Sequence, residues 1–126
     1  MRRKTYTCGL EAALEVVGGK WKVLILWGLH EQPRRFGELR RVVAGISEKM
    51  LIQHLKEMEA DGIVTRHDYK EVPPRVEYAM TPFGFSLYDA LKPLCEWGQR
   101  HMERIEASRE EPEPVDRAPS TAAPRA

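Results

Sequence analysis

Between Phe36 and Asp61 two helical patterns are separated by three residues, Ala44-Gly45-Ile46, and this short gap constrains the fold more than any other feature of the chain. Phe36, Leu39 and Val43 recur at helical spacing, as do Met50 or Leu51, Leu55 and Met58. Gly45 supplies the backbone freedom that so tight a turn needs. Ser47 is a good N-cap for the second helix, Glu48 complements its positive end, and Gly62 is the expected stop. Two helices joined this closely read as a helix-turn-helix, whose second helix is shaped for the DNA major groove.

The flanking chain completes a recognisable order. Helices are predicted over 10–17, ended by Gly18-Gly19, and over about 20–31, ended by Pro33. Trp21, Leu24, Ile25 and Leu29 share one face of the second, and Val23, Leu26 and Trp27 widen it, so it should be buried on more than one side. After Gly62, the β-branched run 63–70 predicts a strand, and Val76–Met80 alternates apolar and polar as a returning strand. Between them lies a loop stiffened by Pro73-Pro74. Thr81-Pro82 is an N-cap followed by proline at the first helical position. A long helix to about Ser108 follows, with Phe83, Leu87, Leu91, Leu94, Met102 and Ile105 as its stripe, and Pro93 should kink or split it. The fold expected is mainly α with a small β-hairpin wing, a winged helix-turn-helix. Residues 1–8 are read as an arm, 9–108 as one domain, and 109–126, with four of the nine prolines, as a disordered tail.

Charge is informative only by its placement. The net charge is +1, yet Arg34–Arg41 reads RRFGELRR, four arginines against one glutamate. On the fourth helix Ser47, Lys49, Gln53 and Lys56 fall on or near the outward face. Glutamine pairs with adenine in bidentate fashion and lysine reaches guanine acceptors, while Ile52 and His54 offer shape or methyl contact. Lys70 and Arg75 flank the hairpin loop, where they are placed for phosphates or the minor groove. The candidate DNA-binding residues are therefore Arg34, Arg35, Ser47, Lys49, Gln53, Lys56, Lys70 and Arg75. Each of these residue types also suits an ordinary solvated face. The order of elements, not the residue list, favours double-stranded DNA as the partner.

Other classes find less support. The four histidines (His30, His54, His67, His101) are scattered over different elements, and no nucleophile–base pair or paired carboxylate stands at workable spacing, so no enzyme is expected. Cys8 and Cys95 form no CxxC or Cys/His cluster, so neither a metal nor another cofactor is expected. Gly18-Gly19-Lys20 is not a phosphate loop, because Leu14 and Trp21 stand where glycine and Ser/Thr are needed. No apolar segment follows the basic N-terminus, and the longest apolar run, Val23 to Trp27, is too short to span a bilayer; a cytoplasmic location is expected. Trp21 reads as core; Trp97 suits either core or an interface. Cys95 reads as core. Cys8 lies beside the basic arm and near the start of the first helix, a setting that favours a reactive thiolate, and equally suits a small residue at an interface.

Several stretches resemble the HxlR-type regulators, a branch of the winged-helix proteins related to the MarR type. They are Cys8 with its helix, Gly18-Gly19-Lys20-Trp21, Arg35-Phe36-x-x-Leu39, Gly45-Ile46-Ser47-x-Lys49-Met50-Leu51, Leu55-x-x-Met58-Glu59-x-Asp61-Gly62-Ile63-Val64-x-Arg66, Pro73-Pro74-Arg75-Val76-Glu77-Tyr78, and Thr81-x-x-Gly84, with Trp97 matching a late tryptophan. Met58, Ile63 and Met80 stand where leucine is usual. The resemblance covers residues 8 to 105. It implies a homodimer joined through the first and last helices, binding a pseudo-palindromic operator, more often as a repressor. It further implies a small-molecule or oxidant effector, with Cys8 as the redox-sensing residue. The rival reading is a winged-helix protein–protein adaptor without specific DNA binding.

Overall fold

The computed structural model describes residues 4–110. Its elements are α1 (Gly9–Val17), α2 (Lys20–Leu29), α3 (Phe36–Val42), α4 (Glu48–Ala60), β1 (Val64–Asp68), β2 (Val76–Met80), α5 (Pro82–Arg100) and α6 (Met102–Ser108). The tail expected to be disordered lies outside the described residues beyond Glu110. The chain divides into two compact units, the first ending at Pro93 and the second starting at Leu94.

The core of the first unit is built from α2, α3, α4 and the start of β1. Ile25, Leu26, Leu29, Leu39, Val43, Ile46, Leu51, Leu55, Met58, Ile63 and Val64 are almost fully buried. Val16, Trp21, Phe36, Leu87, Tyr88 and Leu91 pack against them from the edges. The helical spacings that predicted α3 and α4 are thus the spacings of their inner faces. On α2 the burial is less even than expected, because Trp27 is about half exposed.

The hairpin is antiparallel, with Val64 opposite Met80 and Asp68 opposite Val76. β1 ends at Asp68, two residues earlier than the sequence suggests. Lys70 takes a left-handed conformation (φ 54°), and its N–H donates to the Asp68 carboxylate at 2.8 Å. That turn ends the strand and begins the wing tip. On the far side of β2, Arg34 and Tyr78 exchange two backbone hydrogen bonds, 2.9 and 2.8 Å. This one-residue third rung ties the wing to the segment before α3.

Thr81 fixes where α5 begins. Its N–H donates to the Ile63 carbonyl at 3.0 Å, and its hydroxyl accepts from Gly84 N–H at 2.9 Å. Gly84 is buried directly against that junction, where a Cβ would lie 2.2 Å from the Ile63 carbonyl oxygen. α5 does not split at Pro93. The break comes at His101, between α5 and α6, where ψ rises to 14°. A proline removes one donor, which a long helix survives; three residues after Gly98 the chain turns instead. Cys95 is exposed rather than core, and Leu94 and Trp97 beside it are also exposed. The described residues leave this apolar stripe largely uncovered.

Candidate nucleic-acid interface

α4 presents two faces. Leu51, Leu55 and Met58 point into the core, while Lys49, Ile52, Gln53 and Lys56 are all exposed. The spacing 49, 52, 53, 56 places these four on one stripe, turned away from the buried one. The Ser47 hydroxyl caps the helix by accepting from Met50 N–H at 3.1 Å, so its first duty is structural. The turn before it has Gly45 at φ 93°, a conformation that glycine takes without strain.

A buried cation anchors the helix, and the sequence reading missed it. Lys22 on α2 is only 8% exposed, and its Nζ lies 3.1 Å from the Glu57 carboxylate on α4. His54 Nδ1 meets the same oxygen at 3.3 Å. The hydrogen bond from Lys22, and then that from His54, holds the Glu57 carboxyl below its ordinary range. The signal was present in Gly18-Gly19: beyond ending α1, Gly18 leaves space for the Lys22 stem, which a Cβ there would approach to 2.9 Å.

The arginines divide by environment. Arg35, Arg40 and Arg41 are exposed. Arg35 N–H donates to Glu38 at 2.8 Å, starting α3, and Arg40 lies 4.0 Å from Glu48. Arg34 is half-buried, and its Nε donates to the Gly28 carbonyl at the end of α2. Its position is that of a brace between α2 and the wing. Arg75 is likewise engaged: its guanidinium stacks on Tyr69 at 3.7 Å and lies 3.5 and 3.6 Å from Glu71 and Glu77. Two carboxylates offset its charge, so Arg75 stiffens the wing, whereas Lys70 is exposed at the tip. Arg66 and His67 on β1 are also exposed, and the sequence reading did not single them out.

Cys8 is exposed at the N-cap of α1. The arm's Lys4 does not serve it; its ammonium is held by Glu15 at 2.7 Å, which raises its pKa. Leu10 and Leu14 on α1, Phe83, Leu94 and Trp97 on α5, and Met102 on α6 are exposed apolar side chains. Among the described residues no group of three or more His, Cys, Asp or Glu is placed to hold a metal ion, and no helix is long and apolar enough to cross a membrane.

A helix-turn-helix with an antiparallel hairpin behind it defines a winged helix-turn-helix protein, the architecture of DNA-binding regulators. Residues 16–106 match the HxlR-like helix-turn-helix family, and the chain belongs to it. It is 48% identical over 101 residues to the uncharacterized HTH-type transcriptional regulator YkvN of Bacillus subtilis (strain 168), covering 80% of this chain and 86% of that one. Its fold is similar to the redox regulator HypR in its reduced form, with a TM-score of 0.74, 40% identity and coverage of 79% and 99% of the two chains. The oxidized form of HypR gives 0.70, 43%, 74% and 96%. The chain is a transcriptional regulator of the helix-turn-helix type.

Proposed function

We propose that this protein is a homodimeric, sequence-specific repressor that places α4 in the major groove and the wing beside it, acting in the cytoplasm on a pseudo-palindromic operator. The observation that carries the reading is the exposed stripe Lys49, Ile52, Gln53, Lys56 on a helix whose other face is locked into the core. Gln53 is the base-reading residue, Lys49 and Lys56 add base or phosphate contacts, and Ser47 and Arg35 stand near the backbone. Lys70 supplies the wing's phosphate contact, and Arg34 and Arg75 hold the wing in position for it. Dimerisation through α1 and the last helices would cover Leu10, Leu14, Leu94, Trp97 and Met102 and would bring two copies of α4 to successive half-sites. An adaptor would have no use for the polar stripe.

Two variants separate specific from general contacts. Gln53→Ala should relax selectivity at one operator position and cost about 1–3 kcal/mol on the preferred sequence. Lys70→Ala should weaken binding to every duplex alike and lower the log–log salt slope by about one per half-site. Wild-type affinity and selectivity in both variants would refute this placement of helix and wing.

We further propose that an oxidant or electrophile acts through Cys8, supported by the exposed thiol at the start of α1 and by the likeness to a redox regulator. Diamide should weaken operator binding by the wild type and leave Cys8→Ser unaffected. Equal loss in both proteins, or none in either, would refute it.

A further inference from the structure

We propose that Ile52 reads the C5-methyl group of thymine in the operator, making it an apolar specificity determinant of α4; the proposal rests on the DNA-binding reading above. Ile52 is 41% exposed although the core side of its helix is already filled by Leu51, Leu55 and Met58. It is the one large apolar residue on a stripe otherwise made of Lys49, Gln53 and Lys56. With Glu48 and Lys49 it lines a shallow surface hollow on the first turns of the helix, where base-edge contacts are made in this motif. Charges of both signs, Glu48 and Lys49, stand at its rim, and Ile52 is its one apolar residue. The one methyl group that the four bases offer in the major groove is that of thymine. A β-branched side chain has essentially one χ1 rotamer in a helix, so the Ile52 Cγ2 methyl is already in place before contact.

Deoxyuridine provides the test, because it removes the methyl and keeps every hydrogen-bonding group of thymine. An operator selected from random duplexes is remade with each thymine replaced singly by deoxyuridine. The wild type should lose about fourfold in affinity per half-site at one symmetry-related thymine pair, as expected for one buried methyl. Ile52→Ser should bind thymine and uracil equally there, while Ile52→Val should keep part of the preference; as a surface change, neither should alter the melting temperature. A motif lacking thymine, insensitivity of the wild type to uracil, or undiminished sensitivity in Ile52→Ser would overturn the proposal. Failure of the wild type to select any motif would overturn the DNA-binding reading with it, and would be seen before uracil is introduced.

Discussion

Gly84→Ala should lower stability by about 3 kcal/mol or more and the melting temperature by about 15 °C, although alanine is the better helix former. Helix propensity favours the change by about 1 kcal/mol. Against this, the new Cβ would sit 2.2 Å from the Ile63 carbonyl oxygen, a backbone atom that cannot swing aside. Relief requires α5 to lift from the β1 junction, which stretches the bonds from Thr81 to Gly62 and Ile63. Because Ile63 leads directly into β1, the wing should loosen as well. Thermal melting with circular dichroism decides the matter: an unchanged or raised melting temperature would show that the contact is not tight.

The second large effect concerns the ion pair beneath α4, and its two halves should behave differently. Lys22 is buried, while the Glu57 side chain is 43% exposed. Glu57→Gln leaves an ammonium enclosed without its counter-charge and should lower the melting temperature by about 10 °C. Lys22→Met leaves a carboxylate that water and His54 still solvate, and fills the space of the buried lysine stem with an apolar chain of similar length, so it should cost much less. The reverse order would contradict the account. The pH dependence follows from the same pair. Folding holds the Glu57 carboxyl below its ordinary value of 4.5, so between the two values the unfolded chain binds more protons. The pair's stabilisation is therefore complete above pH 4.5 and is lost as pH falls through the lower, folded value. The stability gap between wild type and Glu57→Gln should be flat above pH 4.5 and narrow as pH falls below it. A gap that widens in acid would exclude the linkage.

What the sequence revealed and what it hid follow from the range of the interactions. The boundaries of the first four helices came within two residues, because Gly18, Gly45, Ser47 and Gly62 punctuate the chain through local backbone chemistry, whereas the break in the last helix falls at His101 and not at Pro93. The α4 stripe was legible for the same reason, since periodicity alone sorts Leu51 and Leu55 from Gln53 and Lys56. Lys22 was not, because its partner lies 35 residues away and lysine is ordinarily a surface residue. The neutralised Arg75 and the bridging Arg34 were hidden likewise; each looks like free positive charge until Glu71, Glu77, Tyr69, Gly28 and Tyr78 are brought against it. Cys95 was misjudged because an apolar stripe on a helix predicts burial against something, whereas the described residues leave Cys95 exposed.

The central claim is that α4 reads sequence in duplex DNA as one half of a symmetric pair. Selection of bound duplexes from a random pool by the purified full-length protein at moderate salt, with the winners re-measured across a salt series, tests it most directly. The account predicts a two-fold symmetric motif whose half-sites are about one helical turn apart. Weak, steeply salt-dependent binding with no enriched motif would contradict it.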